Sequence, residues 1–301
     1  MNKVRAMDRR ICLKAFAALA VSAACPFATF PVFAQAGTDG ISLGIRRQLR
    51  FTVTLTNPHA KELYSQMLWL YLPVAHTATQ QLDALKVSAE YRLQTDRLGH
   101  SIVELEFAHF PPLAQRIIVL VADVTLRSQP VDAPLDDPKT WLLHERYIEM
   151  SDPRIQALAH EMKRATPLET AQAIFEWVSR NLVYGGYVAD DVGALQALIQ
   201  RSGDCTEFAY LAVALARANQ IPARMVGGYV VDKNAVLRME EYHNWAEVYV
   251  NGGWRLLDAQ KQNWLTPTEQ YVAFRYYRDE KINALGLAHR FKVKGDLQVR
   301  L

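Results

Sequence analysis

The stretch Gly203-Asp204-Cys205-Thr206-Glu207-Phe208-Ala209-Tyr210-Leu211-Ala212 decides how the rest of the chain is read. Asp204 is a good N-cap, and Glu207, three residues on, supplies the return half of a capping box, so a helix is expected to begin at Cys205. Phe208, Leu211, Ala212 and Leu215 then recur on one side, which predicts a packed core helix ending at Asn219-Gln220 before Pro222. A cysteine at the first helical position meets free backbone N–H groups and the positive end of the helix dipole, a setting that favours thiolate over thiol. A nucleophile placed there would be held by a rigid element.

Downstream, His243 precedes the alternating run Trp245-Ala246-Glu247-Val248-Tyr249-Val250. After a turn at Asn251-Gly252-Gly253, the run Trp254-Arg255-Leu256-Leu257 closes on Asp258. Two antiparallel strands so joined bring His243 and Asp258 together, with the helix of Cys205 packed across them. A Cys, a His and an acid in that arrangement meet the requirements of thiol acyl transfer. The thiolate attacks a carbonyl, imidazolium protonates the leaving group, and the acid fixes the imidazole's orientation and tautomer. Singly, each residue has a plainer use: a lone Cys is a small buried residue, a lone His is structural, and Asp258 caps a turn. Asp232 and Glu247 compete as acids, but Glu247 alternates with Ala246 and Val248 and faces away, and Asp232 lies in a different segment. Order and flanking elements together favour the triad Cys205, His243 and Asp258. The Cys205 backbone N–H is a candidate oxyanion donor, with Gln200 or an aromatic between Trp177 and Tyr187 as the second. Of the aromatics Trp177, Tyr184, Tyr187, Tyr229, Trp245 and Trp254, most are expected in the core. No paired Cys or His spacing accompanies these residues, so neither a metal nor a cofactor is expected.

Upstream, Asp152-Pro153 opens a helix carrying Ile155, Leu158, Ala159 and Met162. Thr166-Pro167-Leu168-Glu169 opens another through a capping box, with Ile174, Trp177 and Val178 as its core face, and a shorter helix spans 194–200. Strands return at 223–231. From about 45 to 129 the chain alternates as strands do, at 47–56, 68–73, 84–93, 101–107 and 116–126, separated by Asn57-Pro58, Pro73, Asp96 to Gly99 and Pro111-Pro112. This reads as an immunoglobulin-like β-sandwich over 37–129, followed by a Pro- and Asp-rich linker over 130–150 and an α+β domain over 151–301.

The first 36 residues read as an export signal. Lys3, Arg5, Arg9, Arg10 and Lys14 precede the uncharged, Ala-rich stretch 15–36, and Ala34-Gln35-Ala36 supplies a small-residue cleavage site. Arg9-Arg10-Ile11-Cys12-Leu13-Lys14 resembles a twin-arginine (Tat) signal, so a periplasmic or secreted product is expected. An uncleaved anchor over 15–36 is interrupted by Pro26 and Pro31, and Ser22-Ala23-Ala24-Cys25 is a poor acylation site because Pro26 follows the Cys. The whole chain of 301 residues has 34 Lys and Arg against 31 Asp and Glu. Without the leader's five cations and one acid the balance is 29 against 30, and no basic stripe remains for a nucleic acid. Of three cysteines only Cys205 is then left, with no disulfide partner in an oxidising compartment.

Gly203-Asp204-Cys205, the run Arg217-Ala218-Asn219-Gln220-Ile221-Pro222-Ala223-Arg224-Met225-Val226-Gly227-Gly228-Tyr229, His243-Asn244-Trp245-Ala246-Glu247-Val248-Tyr249 and Gly253-Trp254-Arg255-Leu256-Leu257-Asp258 resemble the bacterial transglutaminase-like superfamily. The resemblance covers about residues 150 to 265. It implies a papain-like core of helices packed on an antiparallel sheet, with Cys205 as nucleophile, His243 as general acid and base, and Asp258 as orienting acid. It also implies that the preceding strands form the β-sandwich common in exported members. Three positions depart from the family's pattern: Asn219-Gln220 stands where a Gly commonly precedes Ile-Pro, Asn244 where a small residue often follows the His, and Ala259 where Pro often follows the Asp. The activity implied is that of a cysteine peptidase, amidase or transglutaminase on a peptide, protein or other amide-containing substrate. The alternatives are a non-catalytic binding or scaffold protein of the cell envelope, and a β-sandwich that docks a partner or cell-wall polymer for the second domain to modify. The segment from Val231 to Tyr242 is expected to cover the cleft.

Overall fold

The structure is a computed structural model that describes residues 28–31, 44–187 and 190–301. The twin-arginine motif, Cys25 and the cleavage site at Ala34 to Ala36 lie outside the described residues. Within the stretch read as a leader, Ala28–Pro31 forms strand β1.

Six further strands follow: β2 (Ile45–Thr56), β3 (Leu63–Tyr71), β4 (Gln80–Val87), β5 (Arg92–Thr95), β6 (Ser101–Phe110) and β7 (Gln115–Leu126). β2 shows why they form. Leu49, Phe51, Val53 and Leu55 are buried while Arg50 and Thr52 are exposed, the period-two pattern of a sheet with one wet face. The run expected as one strand over 84–93 is two, β4 on one sheet and β5 on the other, because the chain turns between them and each pairs with a different partner, β7 and β6. The two sheets share one apolar core, to which β2 gives Leu49, Val53 and Leu55 and the other strands give Leu68, Leu82, Leu105 and Leu120.

Helices α1 (Pro153–Met162), α2 (Pro167–Asn181), α3 (Ala194–Gln200) and α4 (Cys205–Ala218) come next, with strands β8 (Val183–Tyr184) and β9 (Ser202–Gly203) between them. Asp152 caps α1 with Pro153 in its first turn, and Thr166 with Glu169 closes a capping box on α2. Then follow β10 (Ala223–Val230), β11 (Ala235–Val236), β12 (His243–Val250), β13 (Gly253–Asp258), β14 (Asn263–Trp264), β15 (Tyr271–Tyr276), β16 (Phe291–Lys294) and β17 (Gln298–Arg300). The central sheet is antiparallel in the order β14-β13-β12-β10-β15. No helix among the described residues is long and apolar enough to cross a membrane.

α4 differs from the one-sided core helix expected. Every residue from Thr206 to Arg217 is buried, because the sheet covers one side and the other three helices the rest. Arg217 is fully buried and is matched by the Ala223 and Leu143 carbonyls and by Glu145, 2.7 Å away. Trp177, expected on the core face of α2, is only half-buried and lies under the Arg201 guanidinium, 4.4 Å from its ring centre.

The chain's later strands return to the first two sheets. β11 runs parallel to β2, β17 antiparallel to its other end, and β16 pairs with β3. β11 and β17 cover the open edge of β2, and β16 that of β3, edges that would otherwise present rows of unpaired backbone groups. Tyr229, Val231, Leu237, Val272 and Phe274 also enter the core of the β-rich unit. Gln80 ties the two units by bonding both the N–H and the carbonyl of Ala273.

Candidate active site

The nucleophile candidate sits where the local rules put it. Asp204 accepts from the Thr206 N–H at 2.7 Å, and Glu207 reaches back to the Asp204 N–H at 3.1 Å, so Cys205 is the first residue of α4. The second oxygen of Glu207 accepts from the Val192 N–H at 3.2 Å, which joins the loop before α3 to the same helix end.

His243 is the first residue of β12 and Asp258 the last of β13. The hairpin turns at Asn251 and Gly252, both with positive φ, and pairs Ala246 with Leu257. That register sets His243 and Asp258 diagonally across the ladder on one face. His243 Nε2 lies 2.6 Å from Asp258 Oδ2, with both residues buried. The carboxylate accepts the Nε2 proton, which leaves Nδ1 as the ring's free nitrogen. Gly227 and Gly228 face Asn244 and His243 in the next strand. A side chain at Gly228 would collide with the Val272 carbonyl, and one at Gly227 with the Tyr242 hydroxyl, so close packing excludes any larger residue there.

Asn244, one of the departures from the family pattern, donates from Nδ2 to the Thr206 hydroxyl at 2.9 Å and thereby ties β12 to the first turn of α4. A second departure has a backbone reason. Gln220 has φ 61°, a left-handed conformation that a Gly would adopt without strain.

Cys205 and His243 open into the same cavity of about 570 Å³. Tyr184, Tyr229, the segment from Val230 to Val236, Glu240 to Tyr242, Gln260 and Lys261 complete its lining. The segment expected to cover the cleft is therefore one of its walls.

The thiol itself departs from expectation. Burial pushes its pKa up to about 11, and the charge of Asp204 and, more weakly, of Asp258 acts in the same direction. Hydrogen bonding to the Asn244 backbone and the Thr206 side chain works the other way and is outweighed. The helix end does not prevail, because burial outweighs it and the same capping box that starts the helix adds a carboxylate beside the sulfur.

The structure thus brings Cys205, His243 and Asp258 to one site. Of the oxyanion candidates, Tyr184 lines the cavity and pairs with Gly203 across β8 and β9, two residues before Cys205. Gln200 is exposed at the end of α3 and does not line it, and Tyr187 is exposed. Glu247 is bound to Arg224 at 2.6 Å, while Asp232 lines the cavity from the wall. Two polar residues of the site had no counterpart in the sequence reading. Tyr271 donates to Asp258 Oδ2 at 2.7 Å, and Asn263 donates to the Tyr271 hydroxyl at 2.7 Å. The signal for β15 was present in Tyr271-Val272-Ala273-Phe274-Arg275-Tyr276, a run of aromatic and β-branched residues.

With this geometry in place, the chain can be set beside known proteins. Residues 156–259 match the family model of the transglutaminase-like superfamily. The chain carries a transglutaminase-like domain. A candidate cysteine protease from Cytophaga hutchinsonii has a crystal structure with a TM-score of 0.58 at 21% identity, over 85% of this chain and 90% of that one, so the fold extends through the β-rich unit. The periplasmic domain of TgpA from Pseudomonas aeruginosa aligns over 70% of this chain and 89% of its own at 19% identity, with a TM-score of 0.38. In sequence, the uncharacterized protein ML0607 of Mycobacterium leprae is 30% identical over 122 residues. That match spans 39% of this chain and 43% of the relative's length.

Proposed function

We propose that the transglutaminase-like domain is a thiol-dependent acyl-transfer enzyme that opens amide bonds through Cys205, His243 and Asp258. The observation that carries this is the 2.6 Å bond from His243 Nε2 to Asp258, with Cys205 and His243 facing one cavity. In the free enzyme the sulfur rests as a thiol, given its raised pKa. His243 then acts as a base: as Sγ attacks the substrate carbonyl, the thiol proton passes to Nδ1 and the imidazolium is stabilised by Asp258. Collapse of the tetrahedral species expels the amine, which takes that proton, and leaves a thioester on Cys205. Water resolves the thioester to an acid, or an amine resolves it to a new amide; the open, polar cavity favours water. The Cys205 backbone N–H at the start of α4 and the Tyr184 hydroxyl are the donors offered to the oxyanion.

The leader-like residues 1–36 support action outside the cytoplasm, on peptide or other amide-bearing material of the envelope. The test is incubation with a peptide panel, with and without a primary amine, read by mass spectrometry for cleaved or amine-substituted products. Cys205→Ala is expected to abolish every product; a product formed equally by that variant overturns the proposal.

A further inference from the structure

We propose that Tyr271 is a positioning residue for the His243–Asp258 pair, holding the carboxylate oxygen that holds the imidazole. The inference rests on the acyl-transfer reading of that pair and adds a member from a strand, β15, outside the residues that carry the family resemblance.

One oxygen, Asp258 Oδ2, takes both the His243 Nε2–H at 2.6 Å and the Tyr271 O–H at 2.7 Å. The direction of the second bond is set by its surroundings. The Asn263 amide donates into the phenol oxygen at 2.7 Å, so the single phenol hydrogen is left for the carboxylate. The other oxygen, Oδ1, accepts from the Lys261 N–H at 3.0 Å. A carboxylate that is 1% exposed is thus held by three donors from three directions and cannot rotate without losing one. Packing repeats the arrangement. The Trp245 ring stacks on His243 at 6.2 Å and takes the edge of Tyr271 at 5.0 Å, so one indole fixes both ends of the relay. Burial and the Asp258 charge push the phenol's pKa up, which keeps Tyr271 a donor.

The phenol keeps Oδ2 aimed at Nε2 and shares that oxygen with the imidazole N–H, so its removal leaves Oδ2 to Nε2 alone.

The test uses the full chain with Tyr271→Phe, which keeps the ring on Trp245, and Asn263→Ala, which keeps Tyr271 but frees its hydrogen to turn away. The first readout is the proton resonance of the His243 Nε2–H by NMR, which reports its bond to Asp258. Tyr271→Phe is expected to move it downfield, because Oδ2 is then left to Nε2 alone and accepts more strongly, and Asn263→Ala to move it by less. The second is turnover of a peptide found in the panel above, where kcat is expected to fall about tenfold to a hundredfold with KM changed less than about threefold. A His243 Nε2–H resonance identical to the parent's in the two variants overturns the proposal, and a purely structural Tyr271 would give that result. Failure of the acyl-transfer reading is recognised separately, by products that persist in Cys205→Ala.

Discussion

The two sides of the cavity are built in contrasting ways. On one side His243 and Asp258 belong to a five-stranded antiparallel sheet, buried and bonded to Tyr271 and to the backbone of Lys261. On the other, the wall from Val231 to Tyr242 has a two-residue strand and a single 3₁₀ turn, with Lys233, Asn234 and Arg238 exposed. That wall is fastened outward to the β-rich unit. β11 pairs with β2, the Gln48 N–H bonds Asn234 at 2.9 Å, the Leu237 N–H bonds the Arg50 carbonyl at 2.7 Å, and Arg290 bonds the Met239 carbonyl at 2.9 Å. The transglutaminase-like domain thus holds the proposed reacting groups, and the β-rich unit fastens one wall of the space in front of them.

The largest loss is expected on the sheet side. Asp258→Asn keeps the size of the residue but removes the charge that stabilises an imidazolium and offers an N–H where Nε2–H and the Tyr271 hydroxyl need an acceptor. Turnover is expected to fall by about two to four orders of magnitude. Steady-state kinetics on a cleaved peptide, beside a thermal melt, separates that loss from unfolding. A fall of less than about tenfold would mean that Asp258 is not the orienting acid.

A smaller effect is expected where α4 begins. The Glu207 carboxyl, buried beside the Asp204 charge, is pushed up to about 7. Its folded pKa therefore lies above its unfolded value, the folded state holds the proton more tightly, and the stability this adds is greatest below the unfolded pKa. It is lost as pH rises through about 7, where the folded carboxyl ionises. Melting temperature should decline between about pH 5 and 7.5 in the parent, and Glu207→Gln should flatten that decline. A slope unchanged in the variant would assign the pH dependence elsewhere.

The features that were legible in the sequence share one property: they are set by residues a few positions apart. Asp152-Pro153, Thr166 with Glu169 and Asp204 with Glu207 cap helices because a cap is satisfied within one turn, and each helix starts where they put it. The hairpin of His243 and Asp258 was legible for the same reason, through Asn251-Gly252-Gly253. What was not legible depends on distant partners. β11 lies along β2 from 186 residues away in sequence, as the Gln48 to Asn234 bond measures. Tyr271 reaches Asp258 from β15 across a loop with no regular spacing. The Cys205 pKa is set first by burial, which neighbouring residues do not reveal, whereas the helix end and the Asp204 carboxylate were both visible locally.

The smallest effect is expected at the wall's fastening. Asn234→Ala removes the acceptor for the Gln48 N–H, an exposed bond worth about 0.5–1.5 kcal/mol, and leaves β11, Leu237 and the whole His243 side in place. If the β-rich unit sets the shape of the cleft and not its chemistry, the cost should appear in substrate binding. KM is expected to rise by about twofold to tenfold with kcat unchanged, the factor that such an energy gives. Labelling of Cys205 by iodoacetamide, a reagent too small to need the wall, should keep the parent's rate and pH dependence. The opposite pattern, an unchanged KM with a lower kcat or a slower labelling reaction, would place the wall's attachment in the chemistry and dissolve the distinction between the two sides.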